Sequence, residues 1–332
     1  ILRLMGAPES VIAVGSGYTR WMFGGNFTIV LLFLINAIFR GAGNAAIAMR
    51  SLWIANLLNM ALDPLLIFGW GPVPAMGVEG AAIATNIGRG AGVLYQLFYF
   101  AGEKGIIKIH KENIKIDWDI ILRLLKVSIG GTGQFLISSA SWIFLVKIVA
   151  NFGSAALAGY TFAIRVIIFT ILPSWGMANA SATLVGQNLG AGKPDRAEKS
   201  VWKAGFLNMV FLGLVSLFFF FISEPILKFF TGDADVIYYG TQCLQIVAFG
   251  YILYGYGMVV SQSFNGAGDT RTPTILYLFG FWLFQIPLAY VLAMKLDFGA
   301  NGVFWAIAIA ESAMAIAGII IFRQGKWKTV KI

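Results

Sequence analysis

A single cysteine, Cys243, and a single histidine, His110, in 332 residues remove whole classes of chemistry. No internal disulfide can form, and no cluster of His or Cys can hold a metal or pass protons between helices. Charge is scarce as well, at 12% of residues against roughly 25% in an ordinary globular chain. The apolar runs hold no paired acids and no nucleophile with a base beside it, so the chain is not expected to be an enzyme. What it has instead is hydrophobic surface. Apolar residues make up 58% of it, in stretches long enough to cross about 30 Å of hydrocarbon as helices. The fold class that follows is an all-α polytopic membrane protein, because lipid offers the backbone no partner but itself. A net charge of +9 would suggest nucleic acid in a soluble protein. Here the basic residues lie between apolar runs, where they report topology, and no nucleic-acid partner is expected.

Nine runs lie near 11–38, 48–69, 78–100, 124–150, 156–182, 202–223, 236–262, 273–294 and 301–322. The connecting turns alternate in charge. Arg40 and Arg50, then Lys104, Lys108, Lys111 and Lys115, then Lys193, Arg196, Lys199 and Lys203, then Arg271, then Arg323, Lys326, Lys328 and Lys331 mark one side. Between them, "GWGPVPAMGVEG" and "NFGSAA" carry no Lys or Arg, and "EPILKFFTGDAD" and "KLDFG" carry one Lys each. The positive-inside rule makes the first set cytoplasmic, including the 102–119 segment and the 323–332 tail of a multi-pass cell-membrane protein.

Setting residue 1 against residue 226 aligns "ILRLM" with "ILKFF", "VIAVG" (11–15) with "VIYYG" (236–240), Gly25 with Gly250, and "FRGAG" (39–43) with "FNGAG" (264–268). After a small shift "GVEG" (77–80) meets "GANG" (299–302). Both copies place the Gly-Ala-Gly turn on the positive side, so they read as parallel repeats. The second copy has three spans, 124–223, ahead of the residue that matches Ile1. By this register about 110 residues and three helices precede Ile1 in the intact protein, which then has nine of twelve helices here, in two parallel-repeat six-helix lobes. An opening Ile, without a cleavable signal peptide, fits an internal start. Residues 1–112 are then an incomplete N-terminal lobe with the start of a linker, and 113–332 the C-terminal lobe.

One apolar run, "LLNMALDPLLIF" (57–68), keeps a carboxylate with a proline behind it. Acids at membrane depth are costly and by default functional. Asp63 and Asn59, four apart, share a helix face. Pro64 has no N–H, so the carbonyl of Met60 loses its helical donor and is free as an oxygen ligand, as in the broken helices of ion sites. Thr85, on the next helix, lies about as deep as Asp63, roughly 9–12 Å from the outer turn at 1.5 Å per residue. Oxygen atoms from Asp, Asn, Thr and a carbonyl suit a hard cation, or a proton held on the acid.

The stretches "LMGAPESVIAVGSGY" (4–18), "NLLNMALDPLLIFG" (56–69), "GVEGAAIAT" (77–85), "ATLVGQNLGAGKPDRAEKS" (182–200) and "FNGAGDTRTPT" (264–274) resemble the multidrug and toxic compound extrusion (MATE) transporters. The resemblance covers essentially the whole chain, with "VGQNLGAG" its most specific run. It implies two six-helix lobes around a central cavity, and drug export in exchange for H+ or Na+; no cofactor is expected, and the protein is expected to be a monomer. It also implies a start after the third family helix. In that family the residues matching Asn59, Asp63 and Thr85 form an N-lobe cation site with an aspartate on the first helix, which this sequence does not contain. Some members carry acids in the C-lobe at positions that register with Ser138 and Tyr254. That departure points to coupling through the N-lobe, as in the DinF-like branch.

Four further residues stand out. Arg89 lies one turn beyond Thr85, and its repeat mate is Glu311. Opposite charges at matching positions suggest a part in coupling or in a cavity wall, while local pairing or snorkelling is the plainer reading. Gln134 in "GGTGQFLISS" lies among glycines that let helices approach or a cavity open. Arg165 reads as a structural anchor. The expected function is a cation-coupled exporter of amphipathic, often cationic, organic compounds, whose Met and aromatic side chains suit flat apolar cations. The alternative is a flippase for a lipid-linked sugar, which calls for more basic residues in the spans than Arg89 and Arg165.

Overall fold

The computed structural model describes residues 8–102, 107 and 115–330. Lys104, Lys108, His110, Lys111, the 112/113 boundary, the opening "ILRLM" and Lys331 lie outside the described residues. The chain separates into two compact units, 1–116 and 117–332.

The first unit holds α1 (Glu9–Gly24), α2 (Asn26–Gly41), α3 (Ala45–Phe68) and α4 (Gly77–Ala101). The second holds α5 (Trp118–Ala150), α6 (Ser154–Gly190), α7 (Pro194–Phe230), α8 (Ala234–Phe249), α9 (Tyr251–Gly266), α10 (Arg271–Lys295) and α11 (Ala300–Arg323). Within α10, Leu278–Gln285 and Val291–Lys295 are π-helical. All nine expected runs fall on helices. Six helices are long and apolar enough to span by themselves, and two bent pairs, α1 with α2 and α8 with α9, qualify as broken spans. The ninth, α4, has 25 residues, but Glu79, Arg89 and a run of Gly, Thr and Asn make it less apolar.

The two breaks are a finding the hydropathy pattern does not foresee, since 11–38 and 236–262 read as unbroken. They fall at Gly25, with a bend of 40°, and at Gly250, with 61°, the two glycines the repeat aligns. Shifting every bound of α1 and α2 by 225 residues gives the bounds of α8 and α9. Each break is gripped by the last helix of its own unit. At Gly25, Asn86 of α4 donates its amide to the Trp21 carbonyl at 2.8 Å and fills the space a Cβ would need. At Gly250 a Cβ would come within 3.0 Å of the Ala308 carbonyl of α11.

The Gly-Ala-Gly turns also repeat in detail. Gly43, Gly192 and Gly268 have φ of 88°, 68° and 81°. After each, the next N–H reaches back five residues: Asn44 to Phe39 at 2.8 Å, Lys193 to Asn188 at 2.8 Å and Asp269 to Phe264 at 2.9 Å. This is the left-handed helix ending that glycine tolerates. Asn44, Asp117 and Asp233 then cap the N-termini of α3, α5 and α8 through their side chains. At the end of the second unit, Trp327 is buried and stacks on Phe322 at 4.5 Å. Its neighbour Lys328 pairs with Glu198 at 2.6 Å, so the tail is fastened to the start of α7.

Candidate functional site

The site in the first unit is built on the contact between α3 and α4. It is close because glycines of α4 face α3 backbone: a Cβ on Gly80 would lie 2.4 Å from the Leu66 carbonyl, one on Gly88 2.5 Å from that of Ala55, and one on Gly92 2.9 Å from that of Ser51. With Ala84, which is buried, these form a stripe of small residues every fourth position, the pattern that lets membrane helices meet backbone to backbone.

That approach brings the predicted residues together. The Asn59 amide nitrogen donates to Asp63 Oδ1 at 3.1 Å along α3 and to Thr85 Oγ1 at 3.4 Å on α4. The Thr85 hydroxyl spends its own proton on the Ala81 carbonyl at 2.8 Å, so its oxygen is an acceptor toward Asn59. The network is therefore self-consistent only with the NH2 of Asn59 turned inward. Turned over, the amide would bring its oxygen against two others, an arrangement a bound cation would favour. All three residues are half-buried. Pro64 does not break α3, which continues to Phe68. One missing donor does not end a helix gripped along its length by α4.

Asn59, Thr85 and Arg89 line one cleft of about 310 Å³ with Asn56, Leu32 and Phe33, near the lower end of the ~300–1,000 Å³ of small-molecule sites. Asn56 was not singled out from the sequence, although its place three residues before Asn59 puts it on the same face. Arg89 is in no ion pair among the described residues.

Glu311 lies in the second unit, on α11. Beside the Gly250 break it lines a cavity of about 70 Å³ with Trp142, Tyr251, Tyr254 and Gln285. It also borders an adjoining space of about 60 Å³ with Ser261, Gln262 and Tyr277. No described Lys or Arg pairs with it. Gln285 is 2% exposed, and its Oε1 has no hydrogen-bond partner among the described residues. Its signal in the sequence is an amide two residues before Pro287 in an apolar run. Ser138 turns back to the Phe135 carbonyl at 3.1 Å, while Tyr254 faces the Glu311 cavity. Among the described residues no three His, Cys, Asp or Glu converge.

Gln134 belongs to neither site. Buried, it exchanges hydrogen bonds with Asn265, 3.0 Å out and 3.2 Å back, and donates to the Thr270 carbonyl at 3.1 Å. Of its two readings, the geometry displays close approach. Gly130, one turn earlier, has no room for a Cβ beside Thr270. Arg165 lies exposed in an apolar groove with Phe169, Phe229 and Phe230.

A glycine-packed helix pair that brings one acid, an amide and a hydroxyl together, in a chain with two copies of a broken-span repeat, agrees with what comparison finds. The MatE family model matches residues 1–65 and 132–291. The chain is 28% identical to the probable multidrug resistance protein YoeA of Bacillus subtilis over 337 aligned positions, covering all of this chain and 72% of that protein. It is 26% identical to the probable multidrug resistance protein NorM of Thermotoga maritima, covering 94% and 67%. A structure described as the outward-facing conformation of a multidrug resistance MATE family transporter of the MOP superfamily superposes with a TM-score of 0.89 at 25% identity, over 99% of this chain and 73% of that one. With more than half of its residues matched by the family model, the chain belongs to the MatE family of multi-pass membrane transporters.

Proposed function

We propose that the protein exports amphipathic, often cationic, organic compounds in exchange for a cation held by Asp63, Asn59 and Thr85. The observation that carries this reading is the Asn59 amide spanning Asp63 and Thr85, which joins the one carboxylate of α3 to α4 through a group that can turn over. H+ is the coupling ion that fits the network with the NH2 inward, because protonation of Asp63 needs no rearrangement of oxygens. Na+ would require the Asn59 amide to rotate. Drug-resistance names among the relatives support the substrate class. A lipid-linked sugar flippase calls for a cavity lined by several basic residues, and the cleft at Asn59 and Thr85 has one among the described residues, Arg89.

The test is ethidium efflux from cells making the full-length protein, with and without a proton uncoupler, in sodium-free and sodium-containing medium. Efflux that stops with the uncoupler and ignores sodium is the expected result. Efflux that follows sodium moves the assignment to Na+, and no efflux of any organic cation sinks the exporter reading.

Glu311 takes a secondary role in this proposal. Its cavity of about 70 Å³ holds a few waters or a small cation, not a drug. Glu311→Gln is therefore expected to leave export ion-driven and to slow it about fivefold, a change of roughly 1 kcal/mol. If Glu311→Gln abolishes coupling while Asp63→Asn preserves it, the roles of the two acids are exchanged.

A further inference from the structure

Where α5 begins, the second unit has a cleft of about 630 Å³ between the first turns of that helix and the turn joining α9 to α10. Arg123 and Lys126 of α5 and Arg271 of α10 face it, and all three are exposed. Among the described residues one carboxylate lines the cleft with them, Asp269, and both of its oxygens are engaged by Thr272. The backbone N–H of Thr272 donates to Oδ1 at 3.0 Å, and its hydroxyl donates to Oδ2 at 2.6 Å. None of the three cations is in an ion pair among the described residues. Arg123 makes a long bond of 3.4 Å to the Asp119 carbonyl. The floor is fixed, because Thr274 donates to the Gly130 carbonyl at 3.1 Å and Gln134 holds the Thr270 carbonyl. The three cations thus line one preformed space with no carboxylate paired to them among the described residues.

The cleft's surroundings decide what kind of anion fits. Leu122, Leu125 and Ile129 are exposed at 60%, 53% and 71%, and their i, i+3, i+7 spacing makes them one stripe of α5. Arg123 and Lys126 form the adjacent stripe. Trp118, exposed at the head of the helix, occupies the place where aromatic side chains gather at a membrane interface. A soluble anion gains nothing from the apolar stripe, whereas an acyl chain does.

We propose that this cleft binds an anionic phospholipid. Its phosphate would be held by Arg123, Lys126 and Arg271, the guanidinium forks suiting paired phosphate oxygens, and its acyl chain would lie along Leu122, Leu125 and Ile129. The lipid ties α5 to the α9–α10 turn, reinforcing the link made by Gln134, and is a ligand separate from anything exported.

Purified full-length protein, mixed with phosphatidylglycerol and phosphatidylcholine in equal amounts, is read by native mass spectrometry for retained lipid. One phosphatidylglycerol is expected to remain in preference to phosphatidylcholine. Each charge removed should cut that preference about fivefold, so the triple variant Arg123→Gln, Lys126→Gln, Arg271→Gln should lose about a hundredfold. Lys126→Gln alone, at an exposed position, gives the single-step loss should the triple variant fail to fold. Equal retention of the two lipids, or a preference unchanged in Lys126→Gln, overturns the proposal. So does displacement of the lipid by glycerol 3-phosphate or inorganic phosphate, which would mark a site for soluble anions.

Discussion

Asp63→Asn is expected to abolish ion-driven drug export while leaving the protein folded and able to bind drug. The introduced amide keeps the shape of the carboxylate and can present its own oxygen to Asn59, so the 3.1 Å bond survives as a neutral one. Exchanging a charge-assisted hydrogen bond for a neutral one costs about 1 kcal/mol, a change of a few degrees in melting temperature. What the amide cannot do is take up and give back a proton. A tenfold ion gradient is worth about 1.4 kcal/mol per ion moved, and without a titrating group none of that work reaches the drug. Accumulation ratios of ethidium across membrane vesicles should fall to the passive value, with drug affinity by equilibrium binding within about threefold of the parent. If the variant still builds a drug gradient that collapses when the ion gradient is dissipated, Asp63 does not couple.

The part of the site that sequence exposes is the part that is local. Asn59 and Asp63 stand four apart on one helix, so their meeting follows from helix geometry alone. Thr85 could be placed beside them by depth, because both helices start from the same short outer turn. The repeat was legible for the same reason: glycines that punctuate turns and breaks recur at one spacing, and Gly25 and Gly250 prove to be the two bends. That those glycines bend the chain was not legible. A glycine is tolerated inside an apolar helix, and the break at Gly25 depends on Asn86, 61 residues away, taking the Trp21 carbonyl. Pro64, which invited the opposite expectation, leaves α3 intact.

Distance along the chain also explains Gln134 and Glu311. Gln134 was ambiguous because its partners, Asn265 and Thr270, are 131 and 136 residues downstream. Glu311 announced itself as an acid in an apolar run, but the residues that share its two cavities come from α5, α6, α8, α9 and α10 as well as its own helix. Its pairing with Arg89 by register set two charges at matching places in the repeat. Each lines a cavity in its own unit, and neither is in an ion pair among the described residues. Pattern in one dimension identifies which polar residues are out of place in lipid. It does not say what they touch.

Gly88→Ala tests whether Thr85 belongs to the coupling site. A Cβ at position 88 would lie 2.5 Å from the Ala55 carbonyl and 3.2 Å from Asn59 Cβ, and backbone cannot yield as a side chain end can. α4 must therefore move away from α3 at this level. The Asn59 to Thr85 contact, already 3.4 Å, then passes beyond hydrogen-bond length, while Asn59 and Asp63, both on α3, stay paired. Overpacking of this kind costs about 1–3 kcal/mol, and loss of one ligand should raise the coupling-ion concentration for half-maximal export about tenfold. Gly90→Ala is the control on the same helix. A Cβ there meets nothing within 4 Å, so both stability and ion dependence should hold. Thr85→Ala separates the two effects of Gly88→Ala, since it removes the hydroxyl without moving the helix and should shift ion dependence alone. Should Gly88→Ala lower the melting temperature yet export with the ion dependence of the parent, the close approach of α4 serves packing only, and Asp63 with Asn59 holds the cation without Thr85.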